Sequence, residues 1–202
     1  MTGKAKYLHL TMDLNSNISN LAALYKNLCA NFVSPICLLM DTSLPLERLL
    51  QRMRFRKVLP YLKGEVVDFG GNHGELSKHV IGTYHNINRD HSTLHTLRAD
   101  TIVMLAVLEH LDPATVTACF HTFKAILRPG GRLIITTPTH IAKPILDTLA
   151  FLHLLDPENI AEHKHYWNAV EMHTLAQASG FTVTHYNTFQ LGFNQLAVFE
   201  HA

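Results

Sequence analysis

Val66-Val67-Asp68-Phe69-Gly70-Gly71-Asn72-His73-Gly74-Glu75-Leu76 constrains the fold of this chain more than any other stretch. A short apolar run ends in a carboxylate, a glycine-rich turn follows, and a helical pattern begins. That order predicts a buried strand, a tight bend and a helix start. Glycines let backbone approach a ligand closely, and the helix start offers free N–H donors. A carboxylate at the strand end would repel a pyrophosphate and suits a ligand carrying a cationic amino group. The spacing also differs from the G-x-G-x-x-G of dinucleotide binders. Taken alone, the segment fits a plain strand-to-helix turn as well.

Three further segments accompany it. They are Thr101 to Leu111, which contains Leu108-Glu109-His110-Leu111; Leu127 to Pro138, which opens Leu-Arg-Pro-Gly-Gly; and Ala178-Ser179-Gly180-Phe181. Together, over about residues 50 to 202, the four resemble a class I S-adenosylmethionine (SAM) dependent methyltransferase. The likeness is to the small-molecule branch, with its ubiquinone-type and methyltransferase type 11 and 23 domains. In that family the first motif reads D-x-G-x-G-x-G, which Asp68, Gly70 and Gly74 match. Asn72 replaces the middle glycine, and asparagine is the residue best able to enter the left-handed region after glycine.

The resemblance implies an α/β fold, a Rossmann-like doubly wound, mostly parallel sheet with an antiparallel last strand. One departure stands out. Between Asp90 and Thr101 there is little of the family's usual third strand and helix, so that strand is expected to be missing or collapsed. The implied cofactor is SAM, with S-adenosylhomocysteine as product. By resemblance its contacts are Asp68, Gly70, Gly71, Asn72, His73 and Gly74 at the first loop. Asn88 and Arg89 follow the second strand, with Asn88 at the ribose-binding position and Asp90 as its rival. Leu105 and Ala106 lie beneath the methionine chain.

Composition sets the outer limits. A chain of 202 residues, 47% apolar and 16% charged, can bury a full core. A net charge of +1 gives no electrostatic case for nucleic acid. The basic run Arg48, Arg52, Arg54, Arg56 and Lys57 is expected on the solvated face of a helix packed through Leu49, Leu50, Met53 and Val58. Cys29, Cys37 and Cys119 are too scattered for a disulfide framework and read as buried thiols. No secretory signal or bilayer-length span is visible, so the expectation is a cytoplasmic protein without stable membrane insertion.

Residues 1–46 read as a helical extension on the substrate side, and 47–202 as the methyltransferase domain, with 138–167 an insertion over the active site. Within the domain, helices are expected over 47–62, 74–81 and 141–154. Asp112 with Pro113 predicts another helix start, and Asn168 with Glu171 a capping box.

Methyl transfer from a sulfonium needs alignment and water exclusion more than side-chain chemistry. The catalytic candidates are therefore few: His110, just past a strand end, His140 after the next strand, and His165 in His163-Lys164-His165-Tyr166-Trp167. In ubiquinone-type relatives a metal can sit on Glu-x-x-Glu-His. Ala106 stands at the first Glu here, so no metal is expected. The acceptor is read as a small molecule with an O or N nucleophile. The alternatives are a non-catalytic binding or interaction module of the same fold, or a nucleotide-dependent oxidoreductase on a similar sheet.

Overall fold

The computed structural model describes residues 45–88 and 93–201. Six strands, β1 (Val66–Phe69), β2 (Tyr84–Ile87), β3 (Ala99–Leu105), β4 (Leu127–Pro138), β5 (Phe181–Phe189) and β6 (Asn194–His201), form one sheet ordered β2-β1-β3-β4-β6-β5. The first four are parallel, and β6 runs antiparallel to both β4 and β5. The helices are α1 (Pro45–Val58), α2 (Pro113–Ile126), α3 (Lys143–Phe151), α4 (Pro157–Ala161) and α5 (Ala169–Ala178).

The period of two along each strand divides the core between the two faces of the sheet. Val67, Ile102, Met104, Leu133, Ile135, Ala197 and Phe199 point one way, toward α2 and α5. Val66, Val103, Ile134, Leu196 and Val198 point the other, toward Phe55 and Val58 of α1 and Leu76. Both faces are covered, which is why the central strands read as apolar runs rather than as alternation.

Local capping chemistry places two of the helices. The Asp112 carboxylate accepts from Thr115 N at 3.0 Å, with Pro113 opening α2. Asn168 and Glu171 form both halves of the expected capping box at the start of α5.

Three expectations are corrected. The helix foreseen over 74–81 is a 3-10 segment, Glu75–His79. The chain must return to Tyr84 quickly, Gly82 turns it at φ 125°, and the longer 3-10 rise covers the distance in fewer residues. The helix foreseen over 47–62 ends at Val58 and continues as a 3-10 turn, Leu59–Tyr61, around Pro60. Its buried residues are Phe55 and Val58, whereas Leu49 is 53% and Met53 37% exposed. Arg54, placed with the solvated arginines by its spacing, turns toward Glu109 instead.

The sheet edge is shortened as anticipated. Between Ile87 and Ala99 the described residues contain only a 3-10 turn, Leu94–Thr96, and no strand among the described residues lies beyond β2. Of the 1–46 extension, residues 1–44 lie outside the described residues, as do Arg89, Asp90, Cys29 and Cys37, and Pro45 and Leu46 already belong to α1. Cys119 is buried. The 138–167 excursion holds a 3-10 turn, α3 and α4, and it is tied to α1 by Asp156 N donating to Glu47 Oε1 at 2.9 Å. No helix among the described residues is long and apolar enough to cross a membrane.

Phe120 is the hub of the face covered by α2, edge-on to Phe181 at 5.9 Å and Phe199 at 5.5 Å and fully buried. Phe120→Ala should lower unfolding free energy by about 3–5 kcal/mol in chemical denaturation. A loss below about 1 kcal/mol would mean that this packing is not as described.

Candidate active site

β1 is buried along its whole length, so Asp68 at its third position carries a carboxylate into the core, 2% exposed. The register Asp68↔Asn86 puts Tyr84 and Asn86 on the same face of the sheet. Tyr84 donates its hydroxyl to Asp68 Oδ2 at 2.6 Å. The other oxygen, Oδ1, is buried without a partner. Burial pushes the Asp68 carboxyl up to about 6; the Tyr84 hydrogen bond opposes this and the charge of Glu75 adds to it. The Tyr84 hydroxyl is itself raised, by burial first and then by its bond to Asp68, so it remains a donor.

The bend that follows is built around that carboxylate. Gly70, Asn72 and Gly74 all have positive φ, at 79°, 44° and 72°. Asn72 thus adopts the left-handed conformation its position requires. Gly71 has a different reason to be glycine: a Cβ there would collide with the Asp68 carboxylate and stand 2.9 Å from Asn86 Oδ1. Asn86 and Asn88 donate to the Asn72 carbonyl at 2.9 and 3.4 Å, and His73 is exposed beside them. The loop is therefore held by the second strand and the residue after it.

At the end of β3, Leu105 and Ala106 are half-buried, and Ala106 takes φ 57°, uncommon for a residue with a Cβ. Ala106 N donates to the Thr136 carbonyl at 2.9 Å, which fixes the turn. The chain then enters a 3-10 turn, Leu108–His110.

Glu109 in that turn is 1% exposed and accepts from Thr137 Oγ1 at 3.0 Å. Burial raises its carboxyl to about 7, opposed by its own backbone, by Arg54 and by Thr137. His110 is lowered to about 4 by burial, despite a hydrogen bond to the Glu162 backbone. The His163 ring lies 4.8 Å from that of His110, centroid to centroid, and burial followed by the His110 charge lowers it to about 4. Both imidazoles are neutral at pH 7.

The other candidate histidines are not part of this side-chain cluster. His165 Nε2 bonds Glu171 Oε1 at 3.1 Å and its ring meets Trp167 edge-on, so it serves the start of α5. His140 is exposed in the 3-10 turn after β4. It is His163 that reaches His110, because Lys164 N and His165 N both donate to the Glu109 carbonyl and dock the segment there. Sequence spacing missed this pairing, together with Tyr84, Thr137 and Arg54. The only available signal was the even spacing from Tyr84 to Asn88, and it becomes informative only once the register with Asp68 is known.

The two ends of the sheet differ in electrostatics. At the amino ends, Glu65 and Asp100 both pair with Arg128, at 2.9 and 3.0 Å, and both carboxyls are lowered. At the carboxyl ends, Asp68 and Glu109 are buried and raised. Ligands of open α/β sheets bind at the carboxyl ends, and there this chain keeps two carboxylates whose burial outweighs their partners.

A model described as a methyltransferase domain matches residues 41–186. The chain belongs to the class I, SAM-dependent methyltransferase family, whose cofactor is SAM. No curated protein matches it. Among solved structures it is similar to a SAM-dependent methyltransferase from Archaeoglobus fulgidus, at 15% identity and TM-score 0.58, over 76% of this chain and 94% of that one. It is also similar to the pyocyanin biosynthetic protein PhzM (15% identity, TM-score 0.59), covering 78% of this chain but only 57% of that one. Human N-acetylserotonin methyltransferase, in complex with SAM, matches at 14% identity and TM-score 0.56, over 77% of this chain and 54% of that one. At these identities the likeness is one of fold.

The Asp68 carboxyl lies above its unfolded value of 3.8. The folded state therefore binds the extra proton between pH 4 and 6, and stability is lost as pH rises through that window. Asp68→Asn removes this loss. Its stability relative to the parent protein should climb by up to about 3 kcal/mol between pH 4 and 7 in paired denaturation curves. A pH-independent difference would contradict the buried carboxylate.

Proposed function

We propose that this chain transfers a methyl group from SAM to an oxygen or nitrogen atom of a small molecule. The observation that carries the reading is the unpartnered Asp68 Oδ1, buried beside a glycine bend that leaves no room for another side chain. A carboxylate so placed is an acceptor for the ammonium and ordered water around the methionine part of SAM. The residues that would hold the cofactor are Asp68, backbone of Gly70, Gly71, Asn72, His73 and Gly74, and the apolar floor of Leu105 and Ala106. Asn88 would exchange its bond to the Asn72 carbonyl for the ribose hydroxyls, with Arg89 next to it.

When bound, SAM supplies an activated methyl for in-line displacement. The chain's share is to align the acceptor, exclude water and receive a proton where the acceptor must lose one. Glu109, His110 and His163 form the polar wall suited to this, and both imidazoles have lone pairs free of protons at pH 7. His140 and His165 are lesser candidates, being exposed or engaged at the start of α5. We place the 138–167 excursion on the acceptor side as a lining segment.

The second reading, a non-catalytic SAM-fold binding module, draws on the shortened sheet edge and on the Asn72 carbonyl already being occupied by Asn86 and Asn88. Calorimetry with SAM and S-adenosylhomocysteine, followed by an acceptor screen with methyl-labelled SAM, separates the two. Binding with transfer supports the enzyme, and binding without transfer across a broad screen supports the module.

The ammonium needs Asp68 ionised. Affinity for SAM should therefore fall about tenfold per pH unit below about 6 and level off above it. Gly71→Ala should weaken binding by at least about tenfold at pH 7.5, since its Cβ displaces the carboxylate. Affinity flat from pH 5 to 7.5, or unchanged in Gly71→Ala, would remove Asp68 from the site.

A further inference from the structure

Glu109, His110 and His163 each offer a ligand atom, and the three atoms lie within 4.8 Å of one another. Each side chain is also held from behind. Thr137 Oγ1 donates to Glu109 Oε2 at 3.0 Å, and His110 donates to the Glu162 backbone carbonyl. His163 Nδ1 meets the Tyr166 hydroxyl at 3.0 Å. In each case an outer partner holds the side chain. Metal-binding histidines and carboxylates are oriented in this way by their outer partners. The backbone reinforces the arrangement, since Lys164 N donates to the Glu109 carbonyl at 2.8 Å and so fixes the separation of the two segments.

The ring geometry agrees. With M–N near 2.1 Å, each ring centroid stands about 3.2 Å from an ion, and two rings in cis or tetrahedral positions are about 4.5–5.2 Å apart. His110 and His163 are 4.8 Å apart at 79°. Donors on one ion are about 3.0–3.4 Å apart, so the widest pair must close by about 1.5 Å, within reach of side-chain rotation.

We propose that Glu109, His110 and His163 form a binding site for a divalent first-row transition ion of the zinc type. Two imidazole nitrogens and one carboxylate oxygen favour such an ion over magnesium or calcium, and three protein donors leave a position open to water or another oxygen ligand. The ligand set does not use the position of Ala106; its third donor comes from the far end of the 138–167 excursion. Nearby cations work against affinity: Arg54 faces Glu109, Lys164 faces His110 and Lys143 faces His163, while Asp147 favours positive charge at His163. Micromolar rather than nanomolar binding is expected.

The test uses the full-length protein after chelation and desalting, with no SAM present, so its outcome is independent of the donor site. Titration with Co2+ should give visible d–d bands of four- or five-coordinate intensity at one ion per chain, and Zn2+ should abolish them. His163→Ala should weaken binding at least about a hundredfold and Thr137→Val about tenfold or more, whereas His121→Ala, at an exposed position of α2, should leave it unchanged. Circular dichroism of each variant shows whether its fold is intact. Should His163→Ala unfold, the Co2+ spectrum of Thr137→Val and of the parent protein still decides. No stoichiometric d–d spectrum at high micromolar Co2+ would overturn the proposal. So would bands that persist in folded His163→Ala, and the two rings would then be an edge-to-face packing pair.

Discussion

A carboxylate buried one residue from the end of a doubly covered strand is the constraint around which this fold is arranged. β1 buries all four of its residues, and three of them are apolar. Asp68 is kept there with one oxygen bonded to Tyr84 and the other to nothing. Leaving a buried acceptor unsatisfied costs roughly 1–3 kcal/mol. The surroundings adapt to it at each step. Gly71 yields its Cβ space to the carboxylate, Asn72 turns left-handed to continue the bend, and Tyr84 opens β2 where its hydroxyl can reach Oδ2. Glu109, one strand over, is a second buried carboxylate, with Thr137 donating to its Oε2. Both buried acids sit where the strands end and helices begin, which is where a ligand of this fold class meets backbone N–H groups.

Much of the fold was legible because it is locally encoded. Apolar runs such as Val66-Val67 and Ile102 to Leu105 mark strands buried on both faces. Asp112 and Asn168 mark helix starts through side-chain bonds to backbone only three residues away. The left-handed turn at Asn72 could be read from its neighbour Gly71 and from asparagine's own tolerance. The shortened sheet edge showed in the brevity of the segment between Asp90 and Thr101, which leaves little length for a further strand and helix.

What was not legible depends on partners distant in sequence. His163 and His165 alternate along an extended segment, and either could have faced His110. Two backbone bonds to Glu109 decide the matter in favour of His163. Arg54 has the spacing of a solvated residue, yet α1 lies so that Phe55 and Val58 rather than Leu49 and Met53 meet the sheet. Helical periodicity gives the width of an apolar stripe but not which part of it a sheet will cover. The 3-10 segment after Gly74 likewise reflects the distance back to β2, which no residue in the segment encodes.

The most direct test of this account is the titration of the Asp68 carboxyl itself, followed by 13C NMR with S-adenosylhomocysteine absent and then at saturation. The free protein should titrate near 6, and the ligand's ammonium should draw the value down by more than a unit. A carboxyl titrating near 4 in both states would show that the group is neither desolvated nor part of a cationic ligand's site.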